Sequence, residues 1–496
     1  MTDQPPEAPD APPGTDASPD ASPGAGKPGR SGRPFDRSIV EGPIRGAVWK
    51  LAWPTMLQNV IGGMQGLVDH AMVGHYVGFT GNAAIGVSWQ IFLVVIVFIS
   101  SLFTGMAVLV ARFAGRNEPE KVNRTVYQAF LTAIFLSVGI MAPVGYVLAP
   151  GLLELINAQP AVQAEALPYL RTMFLYSVGM MLFFMAGGAF RSAGDAKTPL
   201  RLGILLTILN IVLNVIFIAG LGPIPAFGTL GAAMGTVISG AVVAVVVLVI
   251  LFSGKGVIAW KKGMALRPDW DIIRSLFRFG LPTGIQGVAM NVAGVILLRF
   301  IGSLPRSAEA QAAYAITYTQ LFSLITWTSV GIMGAAAAVA GQNLGAGRPD
   351  RTVKCVRVAA GYGLMVAVFV GALFLLVPGQ MIGFFGVEDP DVMALGRQLL
   401  GYLAVSGLFV TVALAYTGGL QGTGDTKSPL YISIISQIVV PLGLCWFLDV
   451  TRGLEAADIW LAIVLGHVTR AILSVLRFRQ GHWEDIEVDI GGRRRG

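Results

Sequence analysis

Charged side chains are scarce: Asp, Glu, Lys and Arg make up 13% of the 496 residues, against roughly 25% in an average soluble protein. That is too little to clothe the roughly three water-facing domains this length would otherwise suggest. Cysteine is scarcer still, with only Cys355 in a basic loop and Cys445 in an apolar stretch. Two distant thiols build neither a disulfide framework nor a metal cluster. No GxxxxGK[ST] run is present to cradle a nucleotide's phosphates, so direct drive by ATP is not expected. The Gly-rich strings GQNLGAGRPD and GTGDTKSPL read as tight turns, where Gly allows positive φ and Pro opens the next helix. HExxH, GxSxG and paired intramembrane carboxylates are missing too, so the chain is not expected to be an enzyme. Apolar residues are abundant, at 54%, and mean hydropathy is +0.68. They come in runs of about 20, long enough to cross a bilayer as helix. Soluble enzymes, nucleic-acid-binding proteins and disulfide-built secreted domains are excluded. An all-α polytopic membrane protein is left.

Twelve apolar segments are expected, near 46–76, 83–111, 124–150, 165–190, 199–221, 229–253, 275–301, 311–340, 356–379, 395–420, 429–449 and 458–478. Residues 1–42 are dominated by Pro, Ala, Gly, Asp and Ser, without apolar periodicity, and read as a disordered tail. They carry neither a signal peptide's apolar core nor the acid-poor composition of a transit peptide. With the N-terminus inside, alternate loops hold 18 Lys and Arg residues against 5 on the other side. Cytoplasmic loops are enriched in these residues, so both termini are expected in the cytoplasm. The formal charge of +7 is then a topology signal, and no nucleic-acid partner is needed to explain it.

The chain repeats itself. GDAKTPL at Gly194–Leu200 returns as GDTKSPL at Gly424–Leu430, an offset of 230, and WPTMLQ from Trp53 echoes LPTGIQ from Leu281, an offset of 228. The expected organisation is a lobe over 43–254, a basic linker over 255–274, a second lobe over 275–480 and a tail over 481–496. Six spans per lobe insert both the same way up, a parallel repeat of the kind found in transporters, where the substrate path lies between repeats near the midplane.

Asp69 is the one acidic residue placed well inside an apolar span. An ionised carboxylate in hydrocarbon is costly, and such residues face cavities or ion pathways. Gln58, Gly62, Gln65 and Asp69 recur at i, i+4, i+7 and i+11, one polar and small face of a helix. On the fifth span, Thr207, Asn210 and Asn214 also share a face. Asn amides can donate to a carboxylate and offer oxygen to a cation. The second half has Val440, Leu444 and Leu297 at the corresponding positions, so the polar set belongs to one lobe only. His70 points about 100° away from Asp69. His467, with Arg470 three residues on, is a secondary candidate for carrying protons. Trp89, Gln90, Gln286, Tyr314, Tyr318 and Gln320 are candidates for lining a cavity suited to flat or cationic ligands.

The run WPTMLQNVIGGMQGLVDHAMVGHYVG, the loop GQNLGAGRPDRTVK and the FRSAGD/LQGTGD turns resemble the multidrug and toxic compound extrusion (MATE) family over residues 45–480. The resemblance implies twelve helices in two six-helix lobes forming a V-shaped antiporter that exports organic, often cationic compounds in exchange for H⁺ or Na⁺. Asp69 matches the family's essential first-helix aspartate, and Asn210 and Asn214 match the fifth-helix pair of the DinF-like branch, which often has Asp at the second position. The NorM-like branch has acids where this chain has Met290 and Val410. Thr236 matches a site threonine, and the threonine usual after the aspartate is His70 here. The missing charge at Asn214 favours H⁺ over Na⁺, with Asp69, Asn210 and Asn214 as the place a Na⁺ would occupy. The chain is thus expected to be a multi-pass antiporter of the bacterial inner (plasma) membrane. It is expected to need no cofactor beyond the coupling ion, to act as a monomer in the bilayer and to take a small organic substrate. A lipid-linked oligosaccharide flippase of the same superfamily is the alternative.

Overall fold

The computed structural model describes residues 33–490 apart from 157, 158, 262 and 265. Twelve long helices follow in order: α1 Ile44–Tyr76, α2 Phe79–Gly115, α3 Pro119–Leu155, α4 Pro160–Ser192, α5 Lys197–Ala219, α6 Gly228–Phe252, α7 Trp270–Gly302, α8 Ser307–Gly345, α9 Pro349–Leu376, α10 Pro390–Thr423, α11 Lys427–Arg452 and α12 Ala456–Arg479. No β-strand occurs among the described residues. Nine of these helices are long and apolar enough to cross a membrane, and α4 makes a tenth when its halves, bent by 53° at Ser177, count as one span. Phe135, Val147, Val249, Val295, Phe369 and Trp446 stand exposed on the outside of the bundle, as side chains bathed in lipid would.

Each lobe has its own apolar core, one containing Phe113, Phe130 and Phe190 and the other Phe322, Phe374 and Trp460. The lobes meet where α2 packs on α7 and α8, and α1 on α8. Glycine permits the closeness. A Cβ on Gly105 would lie 2.0 Å from the Leu276 carbonyl oxygen, and one on Gly280 would lie 1.9 Å from that of Ser101. Gly115 and Gly345 approach the opposite helix in the same way. These contacts gather toward the end of the bundle that carries the basic turns, called the basic face below.

Two terminal segments cross between the lobes on this face. The tail expected over 1–42 lies outside the described residues as far as residue 32. Its remainder is ordered, with a helical turn at Ser38–Glu41 and Ile39 and Val40 buried. Arg348 donates to the Val40 carbonyl at 2.6 Å and Arg37 to the Gly115 carbonyl at 3.3 Å, which ties both lobes to it. Burial pushes the Asp36 carboxyl upward, but Lys50 and Ser38 outweigh it and hold the group below its ordinary value. At the other terminus Trp483 is buried against Phe478 of the second lobe, while Val488 and Ile490 enter the first lobe's core. Arg112 and Arg116 donate to the carbonyls of Ile486 and Val488, each at 3.0 Å. The apolar residues of these segments are too few and too scattered to show a helical period, which is why they read as tails.

Candidate functional site

The polar stripe of α1 faces a cavity of about 560 Å³ in the first lobe, within the size range of small-molecule sites. Gln58, Gln65 and Asp69 line it, with Trp89 of α2, Thr207 of α5 and Thr236 of α6. The spacing on α1 puts the three polar side chains on one wall, and Gly62 and Gly66 between them leave the wall open, with nothing within 4 Å of either position.

A chain of hydrogen bonds starts at the carboxylate. Asn214 Nδ2 donates to Asp69 Oδ1 at 2.7 Å and lies 3.3 Å from Asn210 Oδ1. Asn210 Nδ2 in turn donates to Thr236 Oγ1 at 3.2 Å, and that hydroxyl donates to the Ala232 carbonyl at 3.0 Å. Both asparagines are fully buried, and Asn214 Oδ1 has no partner among the described residues. Gly235 makes room for it, since a Cβ there would fall 2.0 Å from that oxygen. Closer to the basic face Thr207 donates to Gln65 Oε1 at 3.1 Å. Asp69, Asn210, Asn214 and Thr236 are thus one connected unit reached from the cavity at the carboxylate end.

Among the described residues Asn214 is the side chain that donates to the carboxylate. A hydrogen bond to an ionised group is roughly twice as strong as a neutral one, so the Asn214 contact changes strength when Asp69 gains or loses a proton. No cluster of three or more His, Cys, Asp or Glu that could hold a metal occurs among the described residues. The unit contains one carboxylate, and the Asn214–Asp69 hydrogen bond is the contact that joins it from α1 to α5.

Most other candidates are placed elsewhere. Gln90 is exposed and does not line this cavity. Tyr314 and Tyr318 stack at 4.8 Å in the second lobe, and Tyr314 is buried against Trp460 in its core. They pack that core and do not line the cavity around Asp69. Gln286 is buried in the second lobe and donates to Ser433 Oγ at 2.7 Å. His70, expected on another face from Asp69, also lines this cavity, with 2.5 Å between its Nδ1 and Asn82 Oδ1. His467 is buried against Ser406, with 2.5 Å between Nδ1 and Oγ.

Sequence reasoning missed Tyr169 and Trp327, which also line the cavity. Trp327 comes from the second lobe and closes over Gly63, where a Cβ would lie 2.3 Å from the indole ring. The sequence signal was the pairing of a bulky aromatic with a glycine, but nothing local joins residues so far apart.

The family model MatE matches residues 54–216 and again 282–447, one match in each lobe, at an offset close to that of the repeated turns. The chain is 28% identical over 445 residues to "Probable multidrug resistance protein NorM" of Thermotoga maritima, covering 89% of this chain and 93% of that one. It is 24% identical over 440 residues to "Uncharacterized transporter YisQ" of Bacillus subtilis, covering 88% and 94%. Among solved structures, an outward-facing multidrug resistance MATE family transporter of the MOP superfamily superposes with a TM-score of 0.83 at 21% identity, covering 90% of this chain and 98% of that one. A MOP superfamily transporter from Pyrococcus furiosus superposes at 0.82 and 22% identity, with the same coverage. With twelve helices in two lobes and the family model matched over both, the chain belongs to the MatE (MATE) family, whose members are membrane transporters and not enzymes.

Proposed function

We propose that the chain is a proton-coupled exporter of small organic, often cationic compounds, of the DinF-like branch, working as a monomer in the bacterial inner membrane with its basic face in the cytoplasm. One observation carries the reading: a lone carboxylate, Asp69, is held by Asn214 at 2.7 Å on the wall of a cavity wide enough for a drug-sized molecule. The family relationship supports export, and the relative from Thermotoga maritima bears a multidrug resistance name. The presence of Asn at 214 leaves one negative charge in the unit, which suits a proton better than a tightly held Na⁺. The DinF-like assignment rests on the fifth-helix asparagines and on Met290 and Val410 standing where the other branch has acids.

In this mechanism Asp69 takes a proton from the outside, and its bond from Asn214 weakens to that of a neutral pair. The wall formed by α1 and α5 then repacks, and a cationic solute loses its counter-charge and leaves. When the basic face opens, the proton is released to the cytoplasm and the carboxylate accepts the next cation. Exchange requires that proton and solute prefer different states, because a ligand with equal affinity for both shifts nothing. Dye transport in proteoliposomes under an imposed pH gradient, with and without a Na⁺ gradient, tests the reading. Export driven by ΔpH alone is expected, and export driven only by Na⁺ would overturn the choice of ion.

A further inference from the structure

A second cavity lies between the lobes. Its volume is about 100 Å³, room for a small ion with a few waters and too small for a drug-sized solute. Its lining follows the internal repeat. Thr104 of α2 and Gly334 of α8, Ala107 and Ala337, and Arg191 of α4 and Gln421 of α10 all line it. Each pair is separated by 230 residues, the offset of the repeated turns. The cavity is therefore where equivalent parts of the two lobes meet.

Contacts fix the polar groups around it. The Arg191 guanidinium crosses from the first lobe to α8, where a Cβ on Gly334 would lie 3.0 Å from Nη1. On the same stretch of α8, Cβ atoms on Gly418 and Gly422 of α10 would lie 2.2 Å and 2.0 Å from the Met333 and Ala337 carbonyl oxygens. Gln421 precedes Gly422 and so reaches the cavity from the second lobe. One residue after Arg191, at the end of α4, the Ser192 carbonyl accepts from Gln342 Nε2 of α8 at 2.7 Å, a bond between lobes on the basic-face side.

The lining carries one permanent charge and no acid. Arg191 makes neither an ion pair nor a hydrogen bond among the described residues. The acids four residues after Arg191 and Gln421 are already engaged. Asp195 accepts from the backbone N–H groups of Lys197 and Thr198 and from the Thr198 hydroxyl, and Asp425 pairs with Arg477. The Gln421 amide, 7% exposed, is also without a partner among these residues. So is the hydroxyl of Thr283 on α7, another lining residue, although its repeat counterpart Thr55 donates to the Leu51 carbonyl at 2.6 Å. A guanidinium keeps its charge in any protein environment, and buried polar groups are partnered in the great majority of cases.

We propose that this interlobe cavity binds one small inorganic anion of halide size. The Arg191 guanidinium of the first lobe supplies the charge, and the Gln421 amide and Thr283 hydroxyl of the second lobe donate. The repeat puts charge on one side only, so a single negative charge balances it. Because the donors belong to both lobes, the site is complete only while the basic face is closed. A ligand that binds one state alone raises that state's relative population by a factor of 1 + [L]/Kd, so the anion strengthens the seal.

Chloride NMR linewidths with the full-length protein in lipid nanodiscs test the site. The line should be broader than with empty nanodiscs, and bromide should compete the excess away. Arg191→Gln should weaken chloride affinity about tenfold or more, the loss of a hydrogen bond to a charged group. Thr283→Val keeps the charge and the shape and should weaken it about tenfold, which decides the matter where Arg191→Gln does not fold. No excess broadening, or an excess that these variants leave unchanged, would overturn the site. Spin labels on Glu120→Cys and Lys354→Cys, exposed positions on opposite lobes, read the seal. The background is Gly115→Ala, whose methyl meets the Gln342 carbonyl and loosens the closed face. Replacing gluconate by chloride, at constant ionic strength and twice the Kd found by NMR, should raise the ratio of short to long distances about threefold. Arg191→Gln should abolish that rise. Equal distributions in the two anions would overturn the anion's part in the seal. Neither measurement uses transport, so the failure of either leaves the coupling at Asp69 to be judged by export alone.

Discussion

A methyl group at Gly115 should push the two lobes apart on the basic face. Its Cβ would lie 2.0 Å from the Gln342 carbonyl oxygen, and the reciprocal Cβ on Gly345 would lie 2.2 Å from that of Arg112. A carbon approaches a carbonyl oxygen no closer than about 3.3 Å, so α2 and α8 must separate there by about 1.3 Å. Both opposing atoms are backbone, and no side chain can swing aside. Overpacking of this kind costs about 1–3 kcal/mol, and it falls only on the state in which the basic face is closed. The helix-propensity gain from Gly to Ala, about 1 kcal/mol, is common to both states and cancels. The closed state should therefore lose roughly 5- to 150-fold in relative population. Spin labels on Glu120→Cys and Lys354→Cys, exposed positions on opposite lobes, report the separation once the buried thiols of Cys355 and Cys445 are replaced. Gly115→Ala and Gly345→Ala should lengthen the distance distribution. Gly361→Ala, with nothing within 4 Å of its position, should not. Distributions that coincide for Gly115→Ala and Gly361→Ala would refute the reasoning.

Asn214→Ala should slow gradient-driven dye export about tenfold or more, the effect of removing a donor from a charged acceptor. Gly235→Ala should reproduce that loss without removing any polar group, because its methyl falls on Asn214 Oδ1; equal export by Gly235→Ala and wild type would contradict the geometry. Truncation after Gln480 removes the buried Trp483, Val488 and Ile490, each worth about 1.5–3 kcal/mol of apolar burial. It should shift the same spin-label pair toward longer distances, and an unchanged distribution would mean the C-terminal segment does not hold the lobes together.

Much of this architecture was legible in the residues because a bilayer leaves few choices. Apolar runs must be helices there, and repeated turns such as GDAKTPL and GDTKSPL mark equivalent corners of two lobes. Asp69 stood out by cost alone, and the helical period joined it to Gln58 and Gln65. The period could not say which polar faces meet a cavity. Gln90 is exposed outside the cavity lining and Tyr314 is buried in a core, since an amphipathic residue serves either place. The terminal crossings were invisible for a different reason. Ile39 with Val40, and Trp483 with Val488 and Ile490, bury themselves against surfaces made by distant helices, and a short apolar cluster gives no local sign of that.

The central claim is that Asp69 carries the coupling charge. Its most direct measurement is export of a cationic dye from proteoliposomes under an imposed ΔpH by Asp69→Asn beside the wild type, with folding checked by size exclusion. The substituted amide keeps the size and can still meet Asn214, but it can neither ionise nor take up a proton. The account predicts that ΔpH-driven export falls to the level of protein-free vesicles. Export by Asp69→Asn at the wild-type rate would contradict it.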